Sequence, residues 1–166
     1  MSYPIDTCGP STRREKSKWP RKPIDRYFSG FVGYHPKMTE RPCPFCTLPD
    51  MRVVSQNEHA VVVLDAYPVT LGHSLVIPKR HVGSFFETTP SERLALLTLL
   101  DHAKVRANAA HHPAGYNIGV NDGSAAGQTV PHLHIHLIPR YLGDQPDPRG
   151  GVRWVIPEKA DYWSDR

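Results

Sequence analysis

Alternating histidine and aliphatic residues set one stretch of the chain apart. Leu133, Ile135 and Leu137 separate and follow three histidines, so polar and apolar positions repeat with a period of two. This period is typical of a half-buried β-strand and not of a helix. We therefore predict a strand whose aliphatic side chains face a core and whose imidazoles share the opposite face. The three histidines are His132, His134 and His136.

Other apolar patterns predict the rest of the fold. Aliphatic and β-branched runs predict strands at 58–65, 73–77 and 116–120, and a short edge strand at 152–156. Apolar residues at helical spacing predict a helix over 90–108 that covers one face of the sheet. Thr89 and Glu92 can form a capping box, with Pro90 at the first helical position. The helical stripe consists of Leu96, Leu100, Ala103 and Ala107, widened by Leu97.

Length and charge limit the organisation of the chain. Its 166 residues suffice for one domain with a proper core, which we place at 41–144, and the formal net charge of +4 suits a protein that handles anions. Residues 145–166 would form a C-terminal tail. The sequence has no apolar run long enough for a membrane span and no signal peptide pattern, so we predict a cytoplasmic protein without a membrane partner.

Residues 1–40 form a basic, proline-rich extension that we predict to be extended or partly disordered. Such an arm can contact nucleic acid, remain a solvated tail or pack across a partner subunit. We do not expect nucleic acid to be the partner. The aromatic residues in the extension indicate that part of it docks on the domain.

The histidine row is open to three interpretations. It can be an exposed strand face that happens to carry histidine, or part of a metal centre, since histidines two apart on a strand form a common ligand pair. It can also perform covalent catalysis at phosphorus, in which one neutral imidazole attacks and another donates a proton or hydrogen bond. Three histidines in strict alternation make the first interpretation a minority case.

Two further groups of residues suggest chemistry. Cys43 and Cys46 form a Cys-x-x-Cys knuckle, which is half of a tetrahedral zinc site or, alternatively, a reduced pair without metal. The small-residue loop 121–127 lets backbone N–H groups approach an anion. Neutral donors in and beside this loop can bind phosphate oxygens without quenching a nucleophile. The candidates are Asn121, Gly127, Gln128 and Thr129.

Three blocks in the same order resemble the histidine triad (HIT) superfamily of nucleotide hydrolases and nucleotidyl transferases. The row is similar to its His-φ-His-φ-His-φ-φ motif, 72–81 resembles its second block, and 121–129 resembles the loop that leads into the triad. The likeness runs from about residue 43 to about 144. Pro139-Arg140 and Gly143-Asp144 are most similar to the fragile-histidine-triad and dinucleoside polyphosphate hydrolase branch, whereas the cysteine pair resembles zinc-binding bacterial members.

The resemblance implies an α+β fold, in which the helix packs on an antiparallel sheet and two subunits extend the sheet as a homodimer. It implies that Asp65 holds the ribose hydroxyls, although a turn-forming role before Pro68 is the alternative. It also implies that the C-terminal tail shapes the leaving-group side. The zinc ligands implied are Cys43, Cys46, His81 and His132.

The reaction implied is attack by His134 on the α-phosphorus of a (di)nucleoside polyphosphate, through a nucleotidyl-histidine intermediate. His136 would hydrogen-bond the phosphate oxygens, and the product would be a nucleoside monophosphate or diphosphate. Zinc would be structural, and magnesium would accompany a polyphosphate substrate. The alternatives are a purine nucleoside phosphoramidase and a non-enzymatic nucleotide-binding regulatory module.

Overall fold

The computed structural model describes residues 42–164. Their regular elements are five strands and one α-helix, joined by turns and short 3₁₀ segments. The strands are β1 (Val53–Gln56), β2 (Ala60–Leu64), β3 (Ser74–Pro78), β4 (Gly115–Gly119) and β5 (Ile135–Arg140), and the helix is α1 (Pro90–His111). The expectations for the N-terminal extension fall outside the described residues.

The strands form one antiparallel sheet in the order β1-β2-β3-β5-β4. The helix connects β3 to β4, so β5 can insert between these two strands and pair with both of them. This arrangement confirms the predicted α+β class, with one helix on an antiparallel sheet. Within residues 42–164, no helix combines the length and the apolar composition of a membrane span.

The helix begins as the capping box predicts. The Thr89 side chain accepts a hydrogen bond from the backbone N–H of Glu92, and the Glu92 carboxylate accepts one from the backbone N–H of Thr89. Such a box satisfies N–H groups that have no partner inside the helix. Arg80 holds the same carboxylate with two hydrogen bonds of 2.7 and 2.8 Å. The helix ends three residues later than predicted, at a left-handed His112.

The main core lies between the helix and one face of the sheet. Leu133, Ile135 and Leu137 point into it, as their alternation with histidine predicts. A second, smaller core covers the other face, where residues of the knuckle segment pack on β2 and β3. This second core contains Val63, Leu75 and Ile77, with Phe45, Leu48, Val53 and Val61 against them.

Two sequence predictions of strands need correction, and one strand was missed. The predicted edge strand at 152–156 is wrong, because Gly151–Val155 forms a 3₁₀ helix. The strand of the histidine row begins only at Ile135, because Leu133 donates its N–H to Val82 outside the sheet. The short strand β1 was not predicted, since its four residues carry no clear alternation.

Candidate active site

The three histidines of the row lie on the sheet face opposite the helix, beside the smaller core. His136 pairs with Leu75 across β3 and β5, whereas His132 and His134 precede the ladder. His132 is fully buried and His134 is 7% exposed. Pro131 cannot donate a hydrogen bond, and the N–H of His132 turns back to Val130 at 2.8 Å, so a tight turn delivers the first two histidines to the site.

The protonation pattern of His134 follows from a main-chain contact. Its Nδ1 lies 2.8 Å from the carbonyl oxygen of His132. A carbonyl only accepts hydrogen bonds, so Nδ1 must carry the proton and donate it. In the neutral ring, Nε2 then carries the free lone pair. His134 is therefore held with its nucleophilic nitrogen on the side of the ring that points away from the carbonyl of His132.

A second chain of hydrogen bonds fixes His136. The backbone N–H of Val69 donates to Nδ1 of His73 at 3.2 Å, so the proton of a neutral His73 resides on Nε2. That Nε2 lies 3.0 Å from Nδ1 of His136 and donates to it. His136 then keeps its own proton on Nε2. The row thus presents a lone pair on one histidine and an N–H donor on the other.

Burial keeps the two linked histidines neutral. Burial lowers the pKa of His73 below its ordinary value of 6.5, and the nearby Asp65 carboxylate opposes this only in part. Burial also lowers the pKa of His136, and neighbouring imidazoles lower it further. Above pH 6.5, both rings are therefore predominantly neutral, as the chain of hydrogen bonds requires.

Asp65 lies beside His73, but it is not a link of this hydrogen-bonded chain, because Nδ1 of the neutral His73 accepts from Val69. One carboxylate oxygen accepts a hydrogen bond from the N–H of Tyr67 at 2.8 Å, which is the turn-forming role considered from the sequence. The other oxygen lies 3.4 Å from Nδ1 of His73. Asp65, His73 and His136 could also hold a metal ion. However, Nδ1 of His73 faces Asp65 and its Nε2 faces His136, so neither nitrogen of His73 faces both of the other residues.

The four predicted zinc ligands meet at one point, with their ligand atoms within 4.8 Å of one another. Both cysteine Sγ atoms lie 3.5 Å from Nδ1 of His132, and Cys46 Sγ lies 3.2 Å from Nδ1 of His81. Tetrahedral zinc with ordinary bond lengths separates sulfur and nitrogen ligands by about 3.6 Å. The Cys₂His₂ set therefore fits zinc.

His132 is also prepared to act as a ligand. Its Nε2 lies 2.8 Å from the carbonyl oxygen of Pro78 and must donate to it, so Nδ1 carries the lone pair that faces the thiols. Phe45, between the two cysteines, contacts both His132 and His134 edge-on at centroid distances of 5.8 and 5.2 Å. The knuckle thus packs directly against the candidate nucleophile.

The predicted phosphate-binding residues lie in the loop between β4 and the row. Asn121 is half-buried, and Gly127 and Thr129 are exposed. Gly127 has a positive φ of 85°, with open space where a side chain would stand. The Gln128 amide donates to the carbonyl of Gly83 at 2.8 Å and accepts from the N–H of Gly123 at 2.8 Å. In this structure, that amide braces the loop, and its contact with phosphate stays a prediction.

Sequence reasoning missed three contributors to the site. They are His73, the carbonyl group of His132, and Phe45. Leu75 pairs with His136, and His73, two residues before Leu75, lies on the same face of the sheet. The alternation along the chain would therefore have identified His73 as a neighbour of His136 if the pairing of β3 with β5 had been assumed. The other two depend on a turn and on an edge-on contact that no sequence period encodes.

Comparisons with known proteins agree with this geometry. A model of the HIT domain matches residues 49–143. An uncharacterized HIT-like protein of Mycoplasma genitalium is 38% identical over 109 residues, covering 63% of this chain and 77% of that protein. The adenylylsulfatase HINT3 of Arabidopsis thaliana is 37% identical over 106 residues, covering 59% of this chain and 52% of that protein. The nitrilase and fragile histidine triad fusion protein NitFhit of Caenorhabditis elegans is 37% identical over 58% of this chain, but only 22% of it is covered.

Solved structures agree as well. A HIT family protein from Bacillus anthracis is 39% identical with a TM-score of 0.58, over 61% of this chain and 75% of that one. A zinc-bound histidine triad family protein from Mycobacterium smegmatis is 34% identical with a TM-score of 0.56, over 71% and 93% of the two chains. That relative supports zinc as the metal of the cysteine and histidine cluster. Sequence match, fold and histidine row together show that the chain belongs to the HIT family.

Proposed function

We propose that this protein cleaves nucleotides at the α-phosphate through a covalent nucleotidyl intermediate on His134. The observation that carries the proposal is the complementary protonation of the row. The main-chain contact leaves a lone pair on Nε2 of His134, and the chain through His73 leaves an N–H on Nε2 of His136. Covalent catalysis at phosphorus needs both, a nucleophile and a neighbouring donor.

In the first step, the Nε2 lone pair of His134 forms a bond to the α-phosphorus as the bond from phosphorus to the leaving-group oxygen breaks. The leaving group takes that electron pair and departs as a phosphate anion. Its negative charge, and that on the phosphate oxygens, is stabilised by the N–H of His136. The ring of His134 becomes positively charged, and the carbonyl of His132 stabilises it by accepting from Nδ1.

In the second step, the oxygen of a water molecule bonds to the same phosphorus as the phosphorus–nitrogen bond breaks, and the water gives up one proton to solvent. The electron pair returns to Nε2 of His134, and a nucleoside monophosphate is released. Inorganic phosphate can replace water, in which case the product is a nucleoside diphosphate. Asp65 would hold the ribose hydroxyls, while Asn121, Gly127, Gln128 and Thr129 would contact the phosphates.

The substrates we propose are dinucleoside polyphosphates. The similarity to the adenylylsulfatase HINT3 supports a nucleotide substrate, although that name indicates sulfate rather than a second nucleotide as the leaving group. The leaving group is therefore the part of the substrate that needs a direct test. Magnesium accompanying a polyphosphate stays a prediction.

We further propose that Cys43, Cys46, His81 and His132 bind zinc. Zinc would supply a structural cross-link between the knuckle and the row, since its ligands come from three separate segments. It would also hold Phe45 against His134. We propose a homodimer in which an edge strand pairs with its copy; β1 and β4 are the edges of the sheet in residues 42–164.

The test is product analysis for wild type and His134→Ala. Each is given diadenosine tetraphosphate with and without inorganic phosphate, and in parallel adenosine 5′-phosphoramidate. His102→Ala, at an exposed histidine of α1, is the matched control. We expect wild type and the control to release nucleotide and His134→Ala to release none, at equal zinc content.

Each other outcome points elsewhere. Cleavage of the phosphoramidate alone would favour the phosphoramidase. Binding without turnover by wild type would leave a nucleotide-binding module. Loss of zinc from His134→Ala would show that His134 is a metal ligand and would overturn the assignment of the nucleophile.

A further inference from the structure

The loop that carries the candidate phosphate contacts is fastened to the turn before α1. Asp122 Oδ2 accepts a hydrogen bond from the Ser84 hydroxyl and another from the Phe85 N–H, both at 2.9 Å. The Gln128 amide adds a third bond, to the Gly83 carbonyl at 2.8 Å. Three hydrogen bonds thus join two chain segments, between residues 37 to 45 positions apart.

The two anchors of this loop differ in strength. Hydrogen bonds to an ionised carboxylate are roughly twice as strong as neutral ones, so Asp122 is the stronger anchor and Gln128 the weaker. If Gln128 turns to contact a phosphate, its bond to Gly83 must break. Asp122 would then be the remaining side-chain tie between the loop and the turn among these contacts.

The loop is also ordered internally. The N–H groups of Ala126, Gly127 and Gln128 bond to carbonyl groups of Gly123 and Ser124 at 3.0 to 3.2 Å. The loop can therefore shift as a unit, and its position relative to the row depends on what fastens it to the rest of the domain. Asp122 stands next to Asn121, at the point where the loop leaves β4.

We propose that Asp122 is a positioning residue for the phosphate-binding loop. By holding the loop against the turn at 84–85, it fixes where Asn121, Gly127 and Thr129 meet the phosphates. Its Oδ2 accepts from two protein donors, and we assign Asp122 no contact with the substrate. The inference rests on the proposed function, since it assigns the loop to phosphate binding.

The proposal predicts an effect on binding rather than on the chemical step. Asp122 is absent from both hydrogen-bonded chains that set the protonation of His134 and His136. For Asp122→Ala we expect KM for diadenosine tetraphosphate and Kd for AMP to rise about tenfold, with kcat within about threefold of wild type. Asp122→Asn keeps one oxygen that can accept both bonds, and should recover most of the loss.

The experiment measures steady-state kinetics, AMP titration and amide hydrogen exchange for wild type, Asp122→Ala, Asp122→Asn and Ser84→Ala. Asp101→Ala, at an exposed carboxylate on α1, controls for the loss of a negative charge. Exchange should quicken over 121–129 in Asp122→Ala and stay near wild type in Asp122→Asn. Ser84→Ala should lie between them, because it removes one of the two donors.

Wild-type affinity for AMP in Asp122→Ala would overturn the proposal, as would unchanged exchange in the loop. An Asp122→Asn variant as weak as Asp122→Ala would show that an oxygen acceptor at this position is not enough to hold the loop, and would also overturn it. If wild type itself neither binds AMP nor turns over the dinucleotide, the proposed function fails, and the assignment of Asp122 to phosphate binding fails with it.

Discussion

His73 offers the sharpest test of how the site is prepared. It is 3% exposed, and its Nε2 donates to His136 across 3.0 Å. His73→Ala removes this donor, so Nδ1 of His136 loses the partner that keeps its proton on Nε2. His136 can then place its proton on either nitrogen, and only one arrangement presents a donor to the phosphate.

The size of the effect follows from one hydrogen bond. A buried neutral hydrogen bond contributes about 0.5–1.5 kcal/mol net, which corresponds to a factor of about 2 to 13 in the tautomer equilibrium. Without that preference about half of the His136 rings would still present the donor, so we expect kcat/KM of His73→Ala to fall about twofold. This is far less than the loss expected for His134→Ala, which removes the proposed nucleophile. His73→Gln retains an N–H donor near the position of Nε2 and should recover most of the activity.

The assay is release of AMP from diadenosine tetraphosphate at neutral pH, with urea unfolding of each variant to ensure that it is folded at the assay temperature. Wild-type kcat/KM in His73→Ala would refute the role of the chain. Loss to the level of His134→Ala would also refute it, because a tautomer preference cannot account for complete inactivation. Equal losses in the Ala and Gln variants would indicate a packing role instead.

Three more perturbations follow from the structure. Glu92→Gln should cost about 1–3 kcal/mol in urea unfolding at neutral pH, since Glu92 accepts two bonds from Arg80. The hydrogen bonds from Arg80 lower the pKa of Glu92 to about 2 in the folded protein, from an ordinary value of 4.5. The ionised carboxylate therefore stabilises the fold fully above pH 4.5, and this stabilisation is lost as the pH falls toward 2. The difference in unfolding free energy between Glu92→Gln and wild type should vanish at that pH. Gly72→Ala should lower the melting temperature and reduce the free energy of unfolding by about 1–3 kcal/mol or more, because φ is +83° and a Cβ would lie 2.7 Å from the ring of the last α1 residue. Gly115→Ala is its control, since a Cβ there has no neighbour within 4 Å. Equal melting temperatures for the two variants would contradict this explanation. Wild type should contain about one zinc ion per chain by elemental analysis and Cys46→Ala clearly less, and equal contents would rule out the proposed ligand set.

The sequence was most informative where structure depends on neighbours along the chain. The alternation at 132–137 predicted which side chains are buried, and the capping box predicted where α1 begins. Both patterns act within a few residues, so they remain legible without knowledge of the fold. The resemblance to a family then supplied the ligand set and the site residues that composition alone left open.

Contacts that depend on which strands pair could not be predicted from the sequence. The contact between His73 and His136 joins residues 63 apart and depends on β5 inserting between β3 and β4. In the C-terminal tail a local pattern was misleading, since the β-branched residues at 152–156 predicted a strand that does not form. Gly150 and Gly151 instead adopt positive φ values, and Arg149 packs over Trp163 at 4.7 Å, so the chain coils there.

The carbonyl group of His132 has a consequence for how this scaffold can be altered. The contact that prepares His134 comes from the main chain, so any residue at position 132 that preserves the turn can supply it. The imidazole at that position faces the two cysteines and donates to the carbonyl of Pro78, and neither contact involves the ring of His134. The proposed zinc site and the proposed phosphate chemistry therefore use different atoms of the same residue. A metal-free variant that keeps the contact to His134 is designed by repacking the knuckle while leaving the backbone from 130 to 134 untouched.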